Sequence, residues 1–312
     1  MDLTPVSILL PVKNGIKFWP KAENSLINYV RPFDEIIVVD DNSNDGSLEY
    51  AKQLEKEINN FQVLKNPGSG LVDALNFGLK SCSNVWVARH DIDDSYASTR
   101  LHDQLSVRGA STVAIFSDYE FINSVGVPIG VIPTAVLPSP MGISIYSSQR
   151  TPHPSVLFHR EAVIDVGGYR IQDFPAEDLS LWLRLSKQGE LRSVPKTLLY
   201  YQMSATSVTA TKRLEMQKKF VELKKCFPIS PAILERYVAE VPSIFDLYEE
   251  LSLAKERKIL SIRDLLFLRK RGILSPKSFL QIIKLPLELD SYKAYANLKK
   301  GKRLRSENRA RV

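Results

Sequence analysis

Three carboxylates fall within four positions at Asp91-Ile92-Asp93-Asp94, just beyond the apolar run Trp86-Val87-Ala88. Strands tolerate Asp poorly, so acids at the end of such a run call for a chemical role. With residues 85–88 read as a strand whose direction Asp91 and Asp93 continue, the two side chains share a face about 7 Å apart. That gap is too wide for both to clamp one small ion. It suits a divalent cation on one carboxylate and a polar group of a bound ligand on the other. An acidic turn capping the next helix is the competing reading. A second acidic pair, Glu177-Asp178, opens a segment in which Leu181, Trp182 and Leu185 make an apolar helical face, with Pro175 also placed in the first turn. Acids there are favoured by the helix dipole and can simply cap it. Where such a helix end meets a ligand crevice, one of the pair can instead take a proton from a substrate hydroxyl. His153, held between Pro152 and Pro154, reads as a rigid loop contact rather than a catalyst.

To bring these acids together, strands must end where they stand. Val6-Ser7-Ile8-Leu9-Leu10-Pro11-Val12 reads as a buried strand stopped by Pro11 and followed by the turn Lys13-Asn14-Gly15. Trp19, Leu26, Ile27 and Val30 then share one face of a helix over 18–30. A second strand, Glu35-Ile36-Ile37-Val38-Val39, runs straight into Asp40-Asp41-Asn42-Ser43, and its unbroken β-branched character is that of a strand covered on both faces. A helix over 48–58, a strand over 61–64, a helix opened by Gly68-Ser69-Gly70 and a strand over 84–88 complete a βαβαβαβ pattern. Such a pattern predicts a parallel sheet with helices on both faces. Ligands of open α/β sheets bind at the carboxyl ends of the strands. Residues 11–14, 40–43 and 91–94 each follow a strand at once, so they are expected to converge on one crevice. Further on, a strand is expected over 114–120, a hairpin region over 125–130, a Pro- and Ser-rich loop over 132–154 with a short helix near 141–146, and a strand over 156–158.

A chain of 312 residues with 44% hydrophobic and 25% charged residues has the composition of an ordinary globular protein, long enough for one large domain and a smaller appendage. Cys82 and Cys226 fit no metal or redox spacing and point to a reducing, cytoplasmic setting. The start Met1-Asp2-Leu3-Thr4-Pro5 lacks the pattern of a secretory signal, and no apolar run approaches the ~18 residues of a membrane span. The net charge of +7 is unevenly placed. Residues 211–312 carry 24 Lys+Arg against 12 Asp+Glu, a net +12, while the rest carries 18 against 23, a net −5. Such a basic arm suits a polyanion, either an anionic membrane surface or nucleic acid, with a merely solvated helical face as the alternative. Clusters such as Arg269-Lys270-Arg271 and 299–305 alternate with leucines, and no nucleic-acid-reading motif accompanies them, so no nucleic acid partner is expected. Candidate helices run over 214–227, 232–241, 244–253, 262–271 and 276–283.

The glycines form no phosphate-binding fingerprint: Lys-Asn-Gly follows the first strand, and no Gly-Lys-Ser occurs. A metal on the Asp cluster is then the expected means of neutralising a diphosphate.

Several stretches together resemble the GT-A fold glycosyltransferases of family 2, bacterial enzymes that use nucleotide-activated sugars. They are residues 6–14, 37–47 and 70–78, Ala88-Arg89-His90-Asp91-Ile92-Asp93-Asp94, His153-Pro154-Ser155, Gly167-Gly168-Tyr169-Arg170, and Glu177-Asp178-Leu179-Ser180-Leu181-Trp182 with the residues to Leu185. The resemblance spans about residues 5–210. It implies a Rossmann-like domain over 1–210, with a mostly parallel mixed sheet and helices on both faces, followed by a basic helical C-terminal region over 211–312. It further implies that Pro11, Lys13, Asn14 and Asp41 hold the base and ribose of a nucleoside diphosphate sugar, a UDP-sugar by preference. Asp93 then binds Mn or Mg bridging the diphosphate, and Asp91 faces the ribose or the metal's water shell. Asp178 matches the family's catalytic base, with Glu177 beside it, and a single displacement by an acceptor hydroxyl inverts the sugar. The expected acceptor is a saccharide or lipid-linked molecule of cell-envelope polysaccharide synthesis, met in the cytoplasm or on the inner face of the membrane. The chain departs from the family at Lys13, where Tyr is frequent, and at Gln202 and Ser204, where an Arg and a His commonly stand near the diphosphate; Ser207 is retained. A non-catalytic scaffold that keeps the fold is the alternative those departures favour. Nucleotidyl transfer is a further one, which the missing Gly-rich loop after the first strand speaks against.

Overall fold

Unbroken apolar runs place every residue of β1 (Val6–Val12) and all but the first of β2 (Glu35–Asp40) in the interior. Both strands lie in the middle of a mixed sheet, where a continuous apolar strand belongs. The computed structural model describes residues 2–123, 126–132, 134, 151–202 and 207–226. These lie in one unit, residues 1–145 and 149–227, and a second unit comprises 146–148 and 228–312. The short helix expected near 141–146, Ser204, the helices expected over 232–241, 244–253, 262–271 and 276–283, and the basic tail lie outside the described residues.

Among the described residues the sheet is ordered β3-β2-β1-β4-β8-β6-β9-β5, with β7 added on β6. β3 (Phe61–Lys65), β2, β1 and β4 (Trp86–Arg89) are parallel. β8 (Leu157–His159) runs antiparallel between β4 and β6 (Thr112–Ile122). β9 (Glu190–Gln202) is parallel to β6, while β5 (Ser95–Tyr96) and β7 (Pro128–Ile132) are short antiparallel additions. The chain therefore builds outward from β1 to β3, then returns to the other side of β1 with β4. That reversal opens a crevice at the strand ends.

The helices α1 (Trp19–Tyr29), α2 (Ser47–Glu57) and α3 (Leu71–Ser81) connect the parallel strands and bury one face each: Trp19, Ala22 and Leu26; Ala51 and Leu54; Val72, Leu75 and Leu79. Fully burying side chains such as Leu10, Ile37 and Leu75 contributes roughly 1.5–3 kcal/mol each. α3 approaches the sheet closely because Gly78 has no side chain. A Cβ there would stand 2.3 Å from Leu9 Cδ1 and 2.8 Å from Val39 Cγ2.

Two local expectations are corrected. Pro11 does not stop β1, which continues through it to Val12, with Pro11 opposite Val39. The carbonyl of Leu9 accepts from His90 N, whereas that of Val12 accepts from Asp41 N on the β2 side. Strand residues alternate, so Pro11 faces the β4 side, where β4 has already ended at Arg89. The N–H that proline lacks has no ladder partner there to lose. Likewise Asp91 and Asp93 do not extend β4. Residues 91–94 form a turn closed by Asp94 N donating to the Asp91 carbonyl, 3.1 Å. At the far end, the helix expected over 214–227 is Arg213–Cys226.

Candidate functional site

Two central strand ends and a helix start surround a cavity of about 470 Å³. Pro11 and Lys13 enter it from the end of β1, Arg89, Asp91 and Asp93 from the end of β4, and Thr151 and His153 from the segment before β8. Glu177 and Asp178 come from the start of the helix Glu177–Leu185. That helix is held by Leu181, Trp182 and Leu185, all fully buried, with Trp182 edge-on to Phe116 of β6, centroids 5.1 Å apart. Met216 and Phe220 of the helix Arg213–Cys226 complete the wall.

Asp41 and Asn14 are not among the residues that line the cavity. Asp41 is buried and accepts from Lys13 Nζ (2.9 Å), Asn66 Nδ2 (2.8 Å) and Gly70 N (2.9 Å). Burial pushes its carboxyl up, but these bonds prevail and hold it below its ordinary value. Asn14 takes φ 51°, a left-handed conformation that Asn tolerates. Its amide donates to Ser43 Oγ and its side-chain oxygen accepts from Asn44 N, so the loops after β1 and β2 are laced together.

The acidic turn is held from three sides. Arg89 Nε donates to Asp91 Oδ1 (2.5 Å), and Asp91 N donates to Tyr96 Oη (3.1 Å). Lys21 Nζ, from α1, donates to the Asp93 carbonyl and to Gln202 Oε1, each at 2.7 Å. Asp94 Oδ1 accepts from Gln202 N at 2.8 Å. Crowding of like charges in a partly dry site disfavours ionisation. Burial and then the Asp91 charge push Asp93 up to about 6, and burial with both neighbouring acids raises Asp94 well above the carboxylate range. Beneath the turn, fully buried His90 shares a hydrogen bond with Tyr29 Oη (2.8 Å), and burial beside Arg100 and Arg89 keeps its imidazole well below its ordinary value. One guanidinium nitrogen of Arg100 donates to the carbonyls of Arg89, Pro154 and Val156.

On the opposite wall, burial and then the Asp178 charge push Glu177 up to about 7. Burial pushes Asp178 up to about 6, although Oδ1 accepts from Leu179 N at 2.7 Å. Burial thus raises both carboxyls above the ordinary carboxylate range, the direction that suits a general base. His153 Nε2 shares a hydrogen bond with Tyr169 Oη (2.8 Å) and its ring lies edge-on to Trp182, a packed contact of the kind expected for it.

Sequence reasoning gave no role to Arg89, Lys21 or Tyr96, which orient the acidic turn. An Arg closing a buried strand next to three acids was the available signal for Arg89; Lys21 and Tyr96 acquire their partners only through the fold. Among the described residues no cluster of three or more His, Cys, Asp or Glu side chains forms a closed cation cage. Mg²⁺ and Mn²⁺ are commonly held by one or two carboxylates together with phosphate oxygens and water. Asp93, raised by burial and then by its acidic neighbour Asp91, fits that open kind of site.

Residues 7–118 match the protein family described as Glycosyl transferase family 2. An uncharacterized glycosyltransferase of Haemophilus influenzae is 30% identical over 223 residues, 68% of this chain and 80% of that protein. The UDP-Gal:alpha-D-GlcNAc-diphosphoundecaprenol beta-1,3-galactosyltransferase of Escherichia coli is 32% identical over 201 residues, 60% of this chain and 70% of that protein. Among solved structures, TarS 1-349 of S. aureus in complex with UDP-GlcNAc matches with a TM-score of 0.59 at 15% identity, over 89% of this chain and 90% of that one, a likeness of fold.

Proposed function

Because this chain belongs to glycosyltransferase family 2 and has the GT-A fold, we propose that it transfers a sugar, with inversion, from a nucleoside diphosphate sugar to a hydroxyl of a saccharide or lipid-linked acceptor. One observation carries this reading: Lys13, Asp91, Asp93 and Asp178 line a single cavity although they lie far apart in sequence. UDP is the favoured nucleotide and envelope polysaccharide the favoured product class. The E. coli relative, named for UDP-Gal and a diphosphoundecaprenol acceptor, supports both, and the TarS complex supports the nucleotide.

In this reading the Asp41, Lys13 and Pro11 side of the cavity receives the base and ribose, with Asn14 bracing the loop. Asp41 keeps Lys13 in place, and Asp91, fixed by Arg89, faces the ribose. A Mn²⁺ or Mg²⁺ held by Asp93, with Asp91 next to it, would supply positive charge for the departing diphosphate. Asp178 takes the proton of the acceptor hydroxyl as its oxygen attacks the anomeric carbon on the face opposite the diphosphate. The new C–O bond forms as the bond to the diphosphate breaks, so the configuration inverts. Glu177 stands beside the base. Gln202, the residue that favours a scaffold, is engaged by Lys21, so a cation stands near the acidic turn despite the missing Arg. The basic residues beyond 211 are assigned to contact with an anionic membrane surface.

A screen of nucleotide sugars with Mn²⁺ present, read as donor hydrolysis and transfer, separates an enzyme from a scaffold and names the donor. Asp93→Asn is expected to abolish metal-dependent turnover. Asp178→Asn is expected to bind donor and not transfer it; unimpaired transfer would remove Asp178 as the base.

A further inference from the structure

The hairpin of β6 and β7 grows from the cavity wall, since Tyr119 and Phe121 of β6 line the cavity. It also opens a stretch without charge: no Asp, Glu, Lys, Arg or His occurs from Phe121 to Gln149, in a chain of which 25% of the residues are charged. Asn123 fixes the turn. Gly126 N donates to its carbonyl (2.9 Å), its own amide donates to the Val127 carbonyl (3.0 Å), and its side-chain oxygen accepts from Val127 N (2.9 Å). From there β7 returns, paired with β6 alone among the described residues. Residues 126–131 are all exposed, and Val127, Ile129 and Val131 stand 54%, 54% and 41% open to solvent. Single apolar side chains on a surface need no explanation. Three within five positions, held on a fixed hairpin and free of charge, form a surface for apolar contact.

A second copy of the chain is the lesser fit to this surface. Pro128, at the start of β7, is a residue that blunts a sheet edge against an added strand. Two strands of five residues also bring together too little surface for a stable dimer, which buries at least roughly 1,200 Å². A lipid surface needs no strand pairing. Apolar side chains enter the headgroup boundary, no ionised group must shed its water, and the open backbone edge stays at a depth that water reaches. Glu120, opposite Val131, is the nearest charge on β6 and limits how far the hairpin can sink. Lasting attachment takes two signals, and the chain carries the second as well, the net charge of +12 over residues 211–312 that suits anionic headgroups. We propose that Val127, Ile129 and Val131 insert into the interface of an anionic bilayer as the apolar half of a two-part attachment, the basic residues beyond 211 being the other half. This rests on the membrane contact assigned above and adds to it the surface that meets the lipid. Tyr119 and Phe121 of the cavity wall then stand one hairpin away from the layer in which a lipid-linked acceptor is embedded.

The test separates apolar from electrostatic attachment. The full-length chain and the triple variant Val127→Ser, Ile129→Ser, Val131→Ser are sedimented with vesicles of phosphatidylglycerol and phosphatidylcholine, at low salt and at about 1 M salt, where the screening length falls to about 3 Å. The unaltered chain is expected to keep part of its binding at high salt. The triple variant is expected to lose that salt-resistant part by about 10- to 100-fold, with its thermal midpoint and donor hydrolysis unchanged. A second variant, Ile129→Trp, places a reporter on the hairpin without removing its apolar character. Its added emission should move to the blue on vesicles and be quenched by lipids brominated near the top of the acyl chain. Equal high-salt binding by the triple variant overturns the proposal, as does the absence of any salt-resistant binding by the unaltered chain, or Ile129→Trp emission that vesicles leave unmoved. A blue shift that grows with protein concentration in the absence of vesicles shows that a second copy covers the strand, and overturns it too. None of these readouts depends on turnover, so an empty donor screen would sink the transfer reading and leave this one standing.

Discussion

Replacing Asp41 with Asn is expected to destabilise the protein by about 2–4 kcal/mol at neutral pH. The buried carboxylate serves three donors. The bond from Lys13 contributes least, since that side chain is 56% exposed and such pairs contribute roughly 0–1 kcal/mol. The bonds from Asn66 and Gly70 are more sheltered, and a hydrogen bond to a charged acceptor contributes about 1.5–3 kcal/mol. An Asn can place its oxygen where Oδ1 accepts from Asn66 and Gly70, so both sheltered bonds survive but weaken to about 0.5–1.5 kcal/mol each, while its NH₂ faces the Lys13 ammonium, donor against donor. For a unit of this size the midpoint of unfolding should fall by roughly 5–10 °C, measurable by circular dichroism. The pH dependence has a definite sign. The carboxyl of Asp41 is depressed in the folded state. Its contribution is therefore present above the unfolded value of about 3.9 and is lost as pH falls through the folded one. The gap between the two proteins should be constant from pH 7 to 5 and narrow below about pH 4. A difference under about 0.5 kcal/mol at pH 7, or a gap that widens in acid, would refute this account of Asp41.

Other perturbations reach the fold and the opposite wall. Gly78→Ala places a methyl against Leu9 and Val39 and should cost about 1–3 kcal/mol in urea unfolding, with activity per folded molecule retained if α3 only shifts. The pH profile of kcat/KM should fall on the acid side near 6, where Asp178 gains its proton. Because that carboxyl is raised in the folded state, its ionisation opposes folding as pH rises through about 6. Asp178→Asn should accordingly gain up to about 3 kcal/mol at pH 8 and nothing at pH 4, seen by thermal unfolding; no gain at pH 8 would show the site to be well solvated. Lys21→Met frees the Asp93 carbonyl and Gln202, and a Mn²⁺ titration of donor hydrolysis should shift at least about tenfold to higher metal, as when a supporting contact of a metal ligand is lost.

The strands and helices of the first half were legible because their signals are local. The run from Glu35 to Val39 can only be a covered strand, and Gly68-Ser69-Gly70 duly precedes α3. Convergence of the acids was legible from topology, since strands that alternate with helices must end at the same edge of the sheet. What failed was detail decided by neighbours. Pro11 looked like a stop because its sequence does not reveal that β4 ends opposite Leu9. Asp91 and Asp93 looked extended because the bond that closes their turn and the Tyr96 hydroxyl that fixes it come from residues whose placement depends on β9 and α1. The separation of Asp41 and Asn14 from the cavity surface follows from Lys13, Ser43 and Asn44, partners that only pairing of the two loops supplies.

The guanidinium of Arg100 has a consequence for how such an enzyme can change its tastes. Because a single nitrogen holds the carbonyls of Arg89, Pro154 and Val156, the backbone under the acidic turn and the backbone under His153 are fastened to one bolt. A shift of either drags the other, so neither side of the cavity can be remodelled from below without disturbing its counterpart. Sequence variation that reshapes the cavity should therefore accumulate in the more exposed lining side chains, such as Lys13 and Met216, while the shared foundation stays put.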